Sequence, residues 1–324
     1  MPTPPTPTTR LAPSPTGALH LGNARTFLMN AALARQNGWR VALRIEDLDT
    51  PRVKPETIAE TIDLLTWLGM TWDAGPTLQS DDLDPYRDAM NALAKQRLIY
   101  PCSLTRSEIE AAASAPHERD EPREAIVTPE MRPDARPTAF DDEHTNWRLA
   151  VEPGTVIRFD DRAAEPQAID VAADAGDFVI WTKRGCPSYQ LAVTADDARQ
   201  GVTEIVRGND LLGSAARQLL LWSHLRDHLS LGEPPAQTHL PLVRGEDGKR
   251  LAKRHGDTRL TTYRERGVPA EAVIGLIAFW SGVQAAREPM SAAAFFERFR
   301  LDTMPGDDVI FTEDDDRWLQ SFAS

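Results

Sequence analysis

The chain has 324 residues, of which 41% are hydrophobic and 26% charged, an ordinary mixture for a globular protein able to bury a substantial core. Its formal net charge of -13 argues against a generic nucleic-acid coat, because neutralising phosphates takes positive charge, yet it leaves room for a local basic face. Cys102 and Cys186 are the only cysteines, too few for a disulfide framework or a local zinc cluster, and no stretch approaches the ~20 apolar residues of a membrane span.

The leader MPTPPTPTT (1–9) has neither a basic region nor an apolar core, so it does not read as a secretory signal, and its Pro and Thr content suggests an extended or disordered start. The cytoplasm is the expected location. Arg10 to Ala12 reads as a short strand, broken by Pro13, Pro15 and Gly17. From Gly22 to about Gln36, Ala, Leu and Met recur at helical spacing, and Gly38 ends that helix. Val41 to Ile45 reads as a buried second strand, and Pro55 to Leu68 as a helix with Ile58, Ile62, Leu65 and Leu68 on one face. Strand and helix in alternation predict a parallel sheet with crossover helices over 10–100.

The stretch 101–187 changes character. A Pro-rich run (116–137) precedes short β-like pieces at Val156 to Phe159 and Phe178 to Trp181, which predicts an inserted subdomain. Alternation resumes over 188–245, with strand-like runs at Gln190 to Thr194, Thr203 to Arg207 and His239 to Val243, and a helix near Ser214 to Leu225. The remainder, 246–324, is expected to be a loop followed by helices, with Pro269 placed to start one. A run of cations passes through Arg244, Lys249, Arg250, Lys253, Arg254, Arg259, Arg264 and Arg266. By itself such a run is usually a solvated face.

Two loops carry candidate chemistry. PSPTGALHLGN (13–23) leaves a strand and opens a long helix, whose unpaired N–H groups and dipole favour an anion. His20 can donate to a phosphate oxygen there, and Gly22 allows a ring to approach the backbone. A lone His-x-Gly is more often a plain connection. RGEDGKRLAKRHGD (244–257) carries glycines that would give it mobility and a cluster of cations, suited to meeting charge that builds on a phosphate in a transition state. Alone, it would equally fit a solvated hairpin or a nucleic-acid contact.

Together they are more specific. RLAPSPTGALHLGNART (10–26), LRIEDLDTPR (43–52), SYQLAVTADDARQGVTEIVRGNDLL (188–212), THLPLV (238–243) and RLAKR (250–254) resemble, in order, the segments of class I glutamyl-tRNA synthetases. The resemblance runs from Arg10 to about Val283, with His20 to Asn23 in the place of the HIGH tetrapeptide and RLAKR in the place of KMSKS. Asn23 stands where a second histidine often lies, and Arg254 replaces the final serine. The resemblance implies an α/β fold: a Rossmann-like catalytic domain, an inserted α+β subdomain and a short helical region that contacts an RNA stem. It implies ATP and Mg²⁺ for activating L-glutamate.

Carried over residue by residue, Arg207 is expected to grip the glutamate side-chain carboxylate, with Arg10, Leu11, Ala12, Pro13 and Ser14 supporting the amino acid. Glu46 is expected to neutralise its ammonium group and Tyr189 to contact it. His20, Gly22, Asn23 and Lys253 are expected to meet ATP, His20 and Lys253 as catalytic groups. Asp47 and Asp49 read as turn caps or partners of Arg52 rather than metal ligands.

Fewer than eighty residues follow the RLAKR loop, where family members that charge tRNA(Glu) continue into a large anticodon-binding region. That resembles a truncated branch of the family that attaches glutamate to queuosine in the anticodon of tRNA(Asp). Many members of that branch carry zinc in the insertion. Here only Cys102 stands at the equivalent place, with Leu104 where a second cysteine would be, so no bound zinc is expected. The alternatives are charging of a tRNA 3′ end and a non-catalytic paralogue that binds amino acid or tRNA.

Overall fold

The computed structural model describes residues 6–49, 53–105, 108–109, 126–249, 251 and 258–324. Strand β1 (Thr8–Leu11) pairs in parallel with β2 (Arg40–Ile45), which pairs in parallel with β3 (Ala74–Leu78). On its other side β1 runs beside β10 (Glu204–Gly208), joined by Thr203 N–H to Thr8 O at 2.8 Å, and β10 pairs in parallel with β11 (Ala236–Leu240). The chain therefore leaves β1 in one direction and returns to its far side only after some 190 residues. In such open parallel sheets the crevice beyond the strands' carboxyl ends, where the winding reverses, is the natural ligand site.

Helix α1 (Leu21–Asn37) follows β1 and ends at Gly38, whose φ of 65° is the left-handed conformation a glycine adopts without Cβ strain. Asn30 fastens this helix to the strand: its Oδ1 accepts from the Thr9 hydroxyl at 2.9 Å and its Nδ2 donates to Arg10 O at 2.9 Å, all buried. Helix α2 (Pro55–Trp67) buries Leu64 and Leu65, with Ile58 and Ile62 packed against the same core. Helix α3 (Asp84–Lys95) belongs to a second apolar cluster, with Tyr86, Leu93, Trp147, Trp181 and Leu221.

Between the two halves of the parallel sheet lie a four-stranded antiparallel sheet and a hairpin. The sheet is ordered β4 (Ile99–Pro101), β5 (Trp147–Leu149), β8 (Phe178–Thr182) and β9 (Cys186–Pro187). The hairpin is β6 (Val156–Phe159) with β7 (Gln167–Asp170), followed by the short α4 (Val171–Asp174). Asp161, just past β6, forms a parallel bridge with Gln237 and so laps this segment onto β11. Cys102 is a buried free thiol packed with Tyr100, Ala150 and Leu104.

Two strand expectations need correction. Gln190 to Thr194 lies within helix α5 (Tyr189–Arg199), not a strand. Eight of its residues are buried, so both faces are covered and no amphipathic period survives to separate helix from strand. The run His239 to Val243 is interrupted, because β11 ends at Leu240 and Pro241 precedes the separate β12 (Val243–Arg244), which pairs with β13 (Val309–Ile310). Helix α6 (Leu212–Leu225) packs between. The remainder is helical as α7 (Leu260–Glu265), α8 (Ala270–Trp280), α9 (Ala292–Arg298) and α10 (Glu313–Gln320), with Pro269 as the N-cap of α8. Among the described residues no helix is long and apolar enough to cross a membrane.

Replacing Asn30 with Ala strands the Thr9 hydroxyl and the Arg10 carbonyl in the core. The expected result is a loss of about 1–3 kcal/mol, read as a lower midpoint in chemical denaturation.

Candidate active site

The carboxyl ends of β1, β2 and β10 and the amino end of α1 open on a cleft of about 540 Å³. Arg10, Ala12, Pro13 and Ser14 line it from β1, and Glu46 from β2. His20, Gly22 and Asn23 line it from the start of α1, with Tyr189 and Arg207 opposite. Leu11 does not belong with them: it is fully buried in the core beneath the sheet, as alternation along a strand requires of the neighbour of an inward-facing Arg10. Lys253 lies outside the described residues. Gly208, Asp210 and Leu242 also line the cleft and were missed, since nothing in their local pattern marks them.

His20 is the N-cap of α1. Its Nδ1 accepts from Gly22 N–H at 3.1 Å, while Asn23 Oδ1 accepts from His20 N–H at 3.1 Å, closing a capping box. The acceptor role of Nδ1 leaves the ring proton on Nε2, the nitrogen able to donate to a phosphate oxygen. Asn23, expected from sequence to meet ATP, also holds the helix end in shape. Gly22 has a matching reason. A Cβ there would sit 3.1 Å from both Cε1 and Nδ1 of His20 and would push the imidazole aside.

Arg207 is 5% exposed and held from three directions. Its Nε donates to His239 Nε2 at 3.0 Å, Nη1 to Gln218 Oε1 at 2.7 Å and Nη2 to Gln237 Oε1 at 3.2 Å. None of these partners is a carboxylate. Burial pushes the Arg207 guanidinium below its usual range, with Tyr189 opposing and Arg10 adding to the shift. The Tyr189 ring is 39% exposed, while burial and then the Glu46 charge raise its hydroxyl. Glu46 is raised as well: burial outweighs the pull of Arg44 and Arg10. The cleft therefore holds a buried cation with no carboxylate hydrogen-bonded to it and a buried carboxylate whose ion pair with Arg44 at 3.3 Å does not offset its burial. A ligand carrying both a carboxylate and an ammonium would relieve both.

Arg10 turns away from solvent, its Nε 3.3 Å from Asp197 Oδ1 and its Nη1 3.4 Å from Val206 O. Asp47 accepts from Ser80 N–H at 2.9 Å and from its hydroxyl, capping the turn at 79–81, and Asp49 pairs with Arg184 at 2.8 Å. The described residues contain no group of three or more His, Cys, Asp or Glu able to hold a metal. Of the cationic run, Arg244 is paired with Asp308 and Arg264 with Asp63, while Arg250, Lys253 and Arg254 lie outside the described residues.

A second cavity, about 1300 Å³, opens toward the inserted strands and shares Ser14, Glu46 and Tyr189 with the first. Arg148, Lys183, Arg184 and Arg217 line it.

The profile of the family described as tRNA synthetases class I (E and Q), catalytic domain, matches residues 7–314. A Rhodopirellula baltica protein named glutamyl-Q tRNA(Asp) synthetase is 44% identical over 306 residues, 89% of this chain and 88% of its own. One of the same name from Symbiobacterium thermophilum is 41% identical, covering 93% of this chain and 94% of its own. The crystal structure of a glutamate tRNA ligase from Elizabethkingia meningosepticum in complex with its amino acid superposes with a TM-score of 0.78 at 26% identity, over 97% of this chain and 69% of that one.

A Gly22→Ala variant tests the packing of His20. Adenylate formation, followed by pyrophosphate exchange, is expected to fall about 10- to 100-fold through misplacement of the imidazole. The melting midpoint is expected to hold, since Ala favours the helix.

Proposed function

This chain belongs to the class I tRNA synthetase family for glutamate and glutamine, and from that premise we propose that it activates L-glutamate with ATP and transfers it to queuosine-34 of tRNA(Asp). The observation that carries the glutamate assignment is a buried guanidinium in the cleft that no carboxylate hydrogen-bonds. Arg207 is buried with no carboxylate among its hydrogen-bond partners and offers N–H groups suited to a second carboxylate. Glu46 takes the α-ammonium group, and Ser14 and Tyr189 close around the backbone of the amino acid.

In the first step an oxygen of the glutamate α-carboxylate attacks the α-phosphorus of ATP. The new acyl–phosphate bond forms as the bridging bond to the β-phosphate breaks, and pyrophosphate leaves. The nucleophile belongs to the substrate, so the protein's task is position and charge. His20 donates Nε2–H to a phosphate oxygen at the start of α1, where the helix dipole adds to the attraction. Lys253 meets the developing charge from the second loop. Mg²⁺ bound with the nucleotide would offset triphosphate charge.

In the second step an acceptor hydroxyl attacks the acyl carbon, AMP departs with its phosphate oxygen, and the hydroxyl proton is released. The larger cavity has room for the acceptor nucleotide beside the adenylate; with Arg184 paired to Asp49, Arg148, Lys183 and Arg217 remain on its lining, beside Glu46 and Asp174, to contact a phosphate backbone. The two relatives named glutamyl-Q tRNA(Asp) synthetase, matched over about nine-tenths of both chains, favour queuosine as acceptor over a tRNA 3′ end.

A charging assay decides. Labelled glutamate is expected on queuosine-containing tRNA(Asp), with none on the same tRNA lacking queuosine or on tRNA(Glu). Label at the 3′ end of tRNA(Glu) would refute the acceptor assignment.

Glu46 also predicts a pH dependence. Its carboxyl titrates above the ordinary range, so the charged form that attracts the ammonium is lost earlier as pH falls. Glutamate affinity should weaken on acidification through that raised pKa. A Glu46→Gln variant should bind about 10- to 100-fold more weakly, the scale of a lost charge-assisted hydrogen bond, and should show no such acid limb.

A further inference from the structure

Arg207 is steered from outside the cleft. Its Nε–H points to His239 Nε2 at 3.0 Å, and His239 Nδ1 lies 2.6 Å from Asp161 Oδ2. Both side chains of the His239–Asp161 pair have no exposure. The other oxygen, Asp161 Oδ1, accepts from the backbone N–H groups of His239, Ala163 and Ala164 at 3.0 Å each. The carboxylate is thus fixed at both oxygens and its rotation is blocked.

We propose that Asp161 and His239 are positioning residues that hold the Arg207 guanidinium in the orientation that receives the glutamate side-chain carboxylate, which makes the segment after β6 part of the amino-acid pocket. This rests on the reading of Arg207 as the carboxylate-binding residue.

The logic is one of tautomers. Asp161 can only accept, so the proton of His239 must sit on Nδ1. That makes Nε2 an acceptor, which is what the Arg207 Nε–H requires. With Nε–H engaged by the imidazole, and one N–H of each terminal nitrogen taken by Gln218 and Gln237, the guanidinium plane is set. Its remaining two N–H groups are those available to Tyr189 and to a ligand. Strand register supplies the same pair, since Arg207 and His239 face each other across β10 and β11. Burial, ahead of the opposing Asp161, keeps His239 below its usual range and therefore neutral, as the relay needs.

The choice of partner has a cost that only positioning explains. A carboxylate placed directly on Arg207 would neutralise it and compete with the substrate. An imidazole between them passes on orientation while leaving the guanidinium charge for the ligand. Asp161 orients the ring as carboxylates orient the histidines of metal sites.

The test uses the full chain and two readouts, glutamate affinity by isothermal titration and ATP–pyrophosphate exchange in the presence of tRNA. In Asp161→Asn the new amide can donate to His239 Nδ1, which drives the ring proton to Nε2 and sets it against Arg207 Nε–H. The expected result is a glutamate KM about 10-fold higher, on the scale of a lost outer partner. The KM for ATP should be unchanged, and discrimination against glutamine should fall. His239→Gln keeps an acceptor for Arg207 and a donor for Asp161 and is expected to restore most of the affinity that His239→Leu loses. If Asp161→Asn and His239→Leu lower only the melting midpoint, leaving glutamate KM and glutamine discrimination as in the parent, the relay is refuted. An Arg207→Lys control separates the two levels. If it leaves glutamate KM unchanged, the carboxylate assignment itself fails; if it raises KM while Asp161→Asn does not, only the relay fails.

Discussion

Asp197 takes two arginines on one oxygen, from parts of the chain 187 and 153 residues away. Arg10 Nε lies 3.3 Å and Arg44 Nη1 2.7 Å from Oδ1, and all three side chains are 5% exposed or less. Arg44 also reaches Glu46 at 3.3 Å and Asp196 at 3.7 Å, and Asp196 accepts from Tyr86, Gln79 and Arg199. Burial opposes the Arg44 charge, but Asp197, Glu46 and Asp196 outweigh it and hold the guanidinium above its usual range. Removing one member of such a group strands a buried charge at a cost of about 3–5 kcal/mol. The cluster locks β1, β2 and α5 in one relative position, and three walls of the cleft are the ends of those elements.

Next to this charge-paired network the cleft itself is left wanting. Arg207 is pushed down and Glu46 pushed up by the same burial, so each is disfavoured in its charged form. Their environments differ from that of Arg10 in a simple way: Arg10 has Asp197, whereas every hydrogen-bonding side-chain partner of Arg207 bar the tyrosine is a neutral amide or imidazole. Stability would be better served by pairing them internally. Leaving them apart stores electrostatic demand where a zwitterion with a second carboxylate can meet it, and fixed dipoles need no reorganisation when it does.

Much of the fold was readable because periodicity is local. β1, α1, β2 and α2 came from spacing and from the Gly38 stop, and the hairpin strand Val156–Phe159 from its β-like residues. Gln190 to Thr194 misled because a helix buried on both faces has no polar stripe to betray it. The residues around the cleft were legible through ordered motifs, but their partners were not. Asp197 sits inside a quoted segment without any sign that it would meet Arg10, and His239 inside another without any sign of Asp161. Such pairs depend on crossovers closing between distant segments, which composition and spacing do not encode. Leu11 shows the converse error: a motif names a run of residues, while strand alternation turns every second side chain into the core.

The shared wall of the two cavities connects activation with transfer. Ser14, Glu46 and Tyr189 line both. On the proposed reading Glu46 holds the α-ammonium group, and the α-carbon that bears it also bears the carboxyl group to be activated. Anchoring the amino group at the junction therefore keeps the acyl carbon within a few bond lengths of the larger cavity. The side chain, gripped by Arg207, points the other way, into the narrower cleft. On that reading, an acceptor entering past Arg217 and Lys183 reaches the acyl carbon from the larger cavity, without the adenylate leaving its site. On the same reading, depth on one side selects the amino acid by its second carboxylate, and width on the other admits a nucleotide. Glu46 at the seam lines both cavities, and on that reading one glutamate serves both steps.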